Sequence, residues 1–247
     1  MRRGPSDWCQ LMTWNLESHQ VTYGQWLRAR VRYQKFAISP SGKYVVYFAA
    51  DWSREREVGP TWTAVSRPPY FTALALWKEQ STWGGGGIFI SDNHLALHTN
   101  HLSLAEGFSL PPDWKISCSR GEGAPEHPED YWISESLEID SEKEYEEDTI
   151  SYQKLEGDRS LIRAYIDKPY FGRYDSYIRD RGVDHLLPEG QVLEADHFGN
   201  ALIAAGGRLY VLKKEQPYRG LESCQLIADV NDLRPQRSTT PDAFRSW

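Results

Sequence analysis

Three histidines, His94, His98 and His101, form the one tight imidazole grouping in the sequence. Imidazoles grouped in this way hold zinc or copper when their ring nitrogens converge, and Asp92 stands near enough in sequence to join them. Convergence depends on the element that carries them. The run His94-Leu95-Ala96-Leu97-His98 follows a polar turn and reads as a strand. On a strand His94 and His98 share a face about 13 Å apart, given a rise of ~3.3 Å per residue. That span is too wide for one ion, and only a helical or looped segment would close it. The expectation is therefore no metal and no cofactor.

Gly84-Gly85-Gly86-Gly87 invites comparison with phosphate-cradling loops. Such loops need Gly-Lys-Ser/Thr, or a second glycine pattern, opening a helix. Here the glycines run into Ile88-Phe89-Ile90, so a turn or a close backbone approach to a neighbouring strand is the simpler reading. Carboxylates are abundant between Glu122 and Asp158, which leaves paired-carboxylate glycoside chemistry open on composition alone. A catalytic carboxyl, however, sits in a cleft where burial raises its pKa, and a dense acidic run reads as solvated. There is no Gly-x-Ser-x-Gly nucleophile elbow, and Cys9, Cys118 and Cys224 lie in no activating context.

Two charged features remain. From 25 to 33 the sequence alternates, with Leu27, Ala29, Val31 and Tyr33 pointing one way and Arg28, Arg30 and Arg32 the other. The three arginines could hold phosphates or an acidic surface, or simply solvate a strand and protect its edge. The second feature is acidic. Residues 122–158 hold fourteen Asp and Glu against two Lys, a local charge of −12 within a chain of −7, so the remainder carries +5. That balance argues against wholesale nucleic-acid binding, which needs a basic domain.

The elements that position these residues read as strands. At 247 residues, 40% hydrophobic and 26% charged, the chain can bury a sizeable core. Ten Trp and fourteen Tyr suit pleated sheets or a surface that binds through aromatic rings. No run of eighteen apolar residues suggests a membrane span, and no apolar stretch follows Arg2 and Arg3 to make a secretory signal. Three well-separated cysteines suit reduced thiols, so a cytoplasmic setting is expected. Roughly seventeen short strands are predicted, among them 9–16, 25–33, 44–50, 61–66, 70–77, 88–90, 95–97, a short one near Phe108, 114–118, one or two within 121–158, 160–167, 191–196, 201–205, 209–212 and 223–230. The segment 170–181 reads as a short helix or loop. An acidic excursion is expected at 121–158 and a loosely docked tail at 234–247.

Ser39-Pro40-Ser41-Gly42-Lys43-Tyr44-Val45-Val46-Tyr47-Phe48 resembles the Ser-Pro-Asp-Gly-Lys strand-turn-strand signature of β-propeller repeats of the TolB and WD40-like kind, with Ser41 in place of Asp. Asp196-His197-Phe198-Gly199-Asn200 with 201–203 and 207–211 is similar to the inner hairpin of a second such repeat. The resemblance implies an all-β, irregular propeller-like single domain of about five blades over 1–247, at roughly 40–45 residues per blade. A β-sandwich is the alternative. Function then falls to loops on a rigid scaffold. The reading is a non-catalytic protein that binds a basic protein partner in a neutralising or adaptor role. Its contact surface would be Tyr131, Trp132, Glu138, Asp140, Glu144, Tyr145, Glu146 and Glu147. A carbohydrate-active or hydrolytic propeller is the alternative, and nucleic-acid contact through Arg28, Arg30 and Arg32 a third.

Overall fold

The computed structural model describes residues 1–4, 7–53, 55, 57–99, 101–118, 150–154, 159–166, 173–187 and 192–247. Among these the protein is all-β. Its strands form five small sheets, none closed on itself, and its two helical segments are three-residue 3-10 turns at Leu221–Ser223 and Asp242–Phe244. The chain divides into two compact units. Unit 1 comprises Met1–Asn15, Val21–Pro128 and Arg234–Trp247, and unit 2 comprises Leu16–Gln20 and Glu129–Leu233.

Unit 1 holds three sheets. The first is β1 (Arg2–Arg3), β2 (Trp8–Trp14) and β3 (Val21–Arg28), paired antiparallel. The second is the meander β4 (Arg30–Ile38), β5 (Val45–Ala50), β6 (Thr61–Ser66) and β7 (Ala73–Glu79). The third is β8 (Gly87–Ser91), β9 (His94–Leu97) and β10 (Lys115–Cys118). Here β10 lies parallel to β9, Lys115 opposite His94, which a hairpin cannot produce. Residues 98–114 supply the long connection that parallel pairing needs.

The second sheet is buried on both faces. Every residue of β5 and of β6 is buried. With a side-chain period of two, Val45, Tyr47 and Ala49 pack with Cys9, Leu11, Ala29 and Val31 on one side. Tyr44 and Val46 pack with Phe89, Leu95 and Leu97 on the other. Fully burying one such side chain contributes about 1.5–3 kcal/mol. The Tyr47 hydroxyl donates to the Phe71 carbonyl oxygen at 2.7 Å, and burial pushes its phenol well above the ordinary value. The turn before β5 forms as its residues dictate. Gly42 adopts φ 74° and donates to the Ser39 oxygen at 2.8 Å, while Tyr44 N donates to the Ser39 hydroxyl at 3.1 Å. The Ser41 amide in turn donates to Asp92 at 3.0 Å, which holds that carboxyl below the usual range.

The tail is fastened to unit 1 at several points. Thr240 is buried and meets the Thr72 hydroxyl, Arg67 donates to the Ala243 oxygen at 2.8 Å, and Phe244 packs on Tyr70 at 4.7 Å. Trp247 packs between Tyr44 and Trp114 and donates to the Ser109 oxygen at 2.9 Å.

Unit 2 holds two antiparallel meanders: β11 (Ile150–Lys154), β12 (Arg159–Ile166), β13 (Arg173–Asp180) and β14 (Val183–Leu186), then β15 (Val192–Ala195), β16 (Ala201–Ala205), β17 (Arg208–Leu212) and β18 (Gln225–Asp229). Leu161 and Ile178 of the first pack with Ala201, Ile203 and Leu212 of the second. The β15–β16 turn is built on Asp196, whose carboxylate accepts from the Phe198 and Asn200 amides at 2.9 and 2.8 Å. The segment 170–181, expected as a helix or loop, is strand β13 from Arg173 to Asp180. Ser176, Ile178 and Asp180 are buried on alternate positions, and the polar members of that row hide the apolar alternation.

Asp180 is tolerated inside because Arg159, its cross-strand partner, is equally buried. The guanidinium lies 3.5 Å from the carboxylate, with side-chain exposures of 5% and 9%. Arg159 also donates to the Lys213 oxygen at 3.0 Å and to the Gln216 oxygen, while the Tyr218 amide donates to Asp180 at 2.8 Å. The pair therefore fastens the β17–β18 connection onto the β12–β13 ladder. Asp180→Ala strands a buried guanidinium and should cost unit 2 about 3–5 kcal/mol in urea unfolding. An unchanged midpoint would show that the pair holds nothing.

Candidate binding surfaces

Tyr131, Trp132, Glu138, Asp140, Glu144, Tyr145, Glu146 and Glu147, the expected contact residues, lie outside the described residues. The acidic segment re-enters the described structure at β11, the edge strand of its sheet, which pairs from Ile150 opposite Ala164 to Lys154 opposite Ser160. Charge follows the division into units. Unit 1 has sixteen Lys and Arg against eleven Asp and Glu, a net +5; unit 2 has twelve against twenty-four, a net −12.

Arg28, Arg30 and Arg32 are all exposed, and Ala29 and Val31 between them are buried, as the alternation predicts. They do not share one strand. Arg28 ends β3 in the first sheet and Arg30 opens β4 in the second, so the arginine row crosses from one sheet to the next at Ala29. Arg30 donates to Asp7 at 3.0 Å from a largely exposed position, an ion pair of little energetic weight. Tyr33, expected to point inward, is 60% exposed. The cause is a bulge: between Val31 and Phe36 the β4 strand advances five residues while β5 advances two, and the inward–outward phase is lost.

The glycine run is a close approach. Gly85 and Gly86 adopt φ 88° and 79°, and a Cβ on Gly85 would lie 2.2 Å from the Phe48 ring. The loop is held from every side. The Lys35 ammonium donates to the carbonyl oxygens of Thr82 and Trp83 at 2.9 Å each and to that of Gly84, and lies 4.9 Å from the Phe48 ring centre. Gly86 N donates to the Thr63 hydroxyl at 2.8 Å, which donates to the buried Glu79 carboxylate at 2.7 Å. Gly85 N reaches the His98 oxygen at 2.8 Å. The Gly85 and Gly86 amides are thus spent on the protein's own carbonyl and hydroxyl oxygens rather than turned to an anion. Trp83, at its tip, is 90% exposed.

His94 sits on β9 with its Nε2 3.2 Å from the Ser117 hydroxyl, and among the described residues no three His, Cys, Asp or Glu are grouped to hold a metal. The cysteines form no disulfide. Cys9 is buried, and burial pushes the Cys224 thiol up.

One feature that sequence reading missed is a cleft of about 540 Å³ in unit 1, lined by Trp8, Trp26 and Arg28 of the first sheet and by Arg237, Ser238 and Thr239 of the tail. Its two halves are more than two hundred residues apart in sequence, so no local pattern announces it.

Two outcomes check these assignments. Lys35→Met removes the ammonium from three carbonyl oxygens and should cost about 1–3 kcal/mol, with new proteolytic cleavage between Thr82 and Gly87. Cys224, protonated at neutral pH, should alkylate with iodoacetamide far more slowly in the native protein than in urea. Equal rates would contradict the burial effect. No protein-family model, curated protein or solved structure matches this chain.

Proposed function

We propose that this chain is a non-catalytic β-scaffold that binds a basic protein through its acidic, aromatic-bearing segment at 122–158. The observation that carries the reading is the charge division. A −12 segment stands against a +5 remainder. Concentrated like charge accelerates encounter with an oppositely charged partner, and Trp and Tyr anchor the contact once formed. Tyr131, Trp132 and Tyr145 supply the anchors, and Glu138, Asp140, Glu144, Glu146 and Glu147 the field.

The scaffold itself is read as propeller-like. Five small sheets following one another in chain order, with the turn at 39–42 and the Asp196 turn opening comparable hairpins, support about five blades. A neutralising or adaptor role in the cytoplasm fits three thiols that form no disulfide. A glycosidase-type enzyme would need two carboxyl groups facing across a cleft. The unit 1 cleft presents arginines instead.

Neutralising the five acids to Gln or Asn should leave the circular dichroism and melting temperature unchanged. It should weaken capture of basic proteins from native lysate about tenfold or more, equivalent to ~1.4 kcal/mol. Binding by the unaltered protein should also fall steeply with salt. Capture of the same partners at the same yield by both forms would overturn the reading.

A further inference from the structure

We propose that the cleft in unit 1 is a binding site for a mononucleotide, an organic phosphate that carries a flat ring. None of its lining residues belongs to the acidic segment. Three observations bear on the class of ligand.

The first is charge. Among the described residues the cleft is lined by two arginines, Arg28 and Arg237, and by no carboxylate. Arg28 already has a partner within the protein. Arg237 makes no hydrogen bond or ion pair among the described residues, so its fork of donors is available to an anion. Guanidinium and phosphate match geometrically through paired N–H···O bonds. The Ser238 and Thr239 side chains on the same wall add hydroxyl donors.

The second is the floor. Trp8 stands directly opposite Arg28 in the β2–β3 ladder, and Trp26 lies two residues before Arg28, so all three share a face of the sheet. Trp26 is 7% exposed and fixed from behind, since a Cβ on Gly4 would lie 2.6 Å from its ring. Trp8 is half-buried and offers ring surface for stacking. Stacking of a base on such a ring contributes about 1–3 kcal/mol.

The third is that the walls are built in advance. Gln25 donates to the Ser238 oxygen at 3.5 Å while its own side-chain oxygen accepts from Phe71 N at 2.8 Å. The Thr240 hydroxyl, just beyond the lining, meets the Thr72 hydroxyl. The tail wall is thus pinned on the two residues that flank Thr239. A volume of about 540 Å³ suits a small molecule and falls within the ordinary size of ligand pockets, ~300–1,000 Å³.

Titration of the full chain with AMP, followed by tryptophan fluorescence and calorimetry, should show one saturable site. Arg237→Gln and Trp8→Ala should each weaken it about tenfold or more, and inorganic phosphate should bind at least tenfold more weakly than AMP. Arg237 is exposed, so its substitution leaves the fold intact, and an unchanged melting temperature confirms that. Absence of saturation at ~10 mM AMP overturns the proposal. So does inorganic phosphate binding as tightly as AMP, or an Arg237→Gln protein that binds AMP unchanged. A single-stranded oligonucleotide that binds more tightly than AMP and spans beyond the cleft overturns it in favour of a strand-binding surface.

Discussion

Unit 1 depends on a sheet that cannot face water on either side. β5 is apolar at all six positions, so both faces of the β4–β7 meander must be covered. The first and third sheets supply the covers, and the order of the three follows from that demand. Burial on both faces also removes the usual refuge of polar side chains. Thr61, Thr63 and Ser66 of β6 are fully buried, and two of them are met by Glu79 on the neighbouring strand, through its carbonyl for Thr61 and its carboxylate for Thr63. The same constraint reaches the glycine loop. Phe48 is completely covered, and what covers it is backbone, because only a residue without a Cβ approaches the ring so closely. Lys35 then closes the arrangement, its ammonium serving three backbone carbonyl groups.

Buried charge is handled differently in the two units. In unit 1 the Glu79 carboxylate is met by a hydroxyl, and in unit 2 Asp180 is met by a guanidinium. The Arg159–Asp180 pair is not the stabilising equivalent of an apolar pair, since desolvation consumes most of the attraction. Its effect is to fix position. Two carbonyl oxygens and one amide from the 213–218 connection can be satisfied there only in one register of the two meanders. An apolar substitution of both partners would keep the packing and lose that selection.

Exposed charge falls where these packing demands end. Each of the three arginines adjoins a buried residue in sequence, and it is the burial of Ala29 and Val31 that turns the guanidinium groups outward. The bulge after Val31 then releases Tyr33 to solvent. The cleft lies between the first sheet and the tail, so its walls combine a paired ladder with an extended segment.

What could be read from the sequence follows the range of the interaction that decides it. β5, β6, the 88–97 hairpin and the meander from Val192 to Leu212 were legible because a strand buried on one or both faces writes its pattern into consecutive residues. Their turns carry glycine where φ must be positive, as at Gly42 and Gly207. β13 was not legible, since Asp180 occupies an inward position and its compensating charge lies twenty-one residues earlier. The parallel pairing of β10 depends on a seventeen-residue excursion with no periodic signal. The arginine row was visible as a pattern, but its passage between two sheets turns on one residue, Ala29, whose burial is identical under either reading. The cleft was invisible altogether. Arg237 and Ser238 lie in a polar, proline-flanked stretch with neither strand nor helix period, and they gain meaning only when Gln25 and the Thr72–Thr240 contact bring that stretch against Trp8 and Arg28. Local alternation reports which side of a strand is dry; it does not report which distant segment completes the wet side.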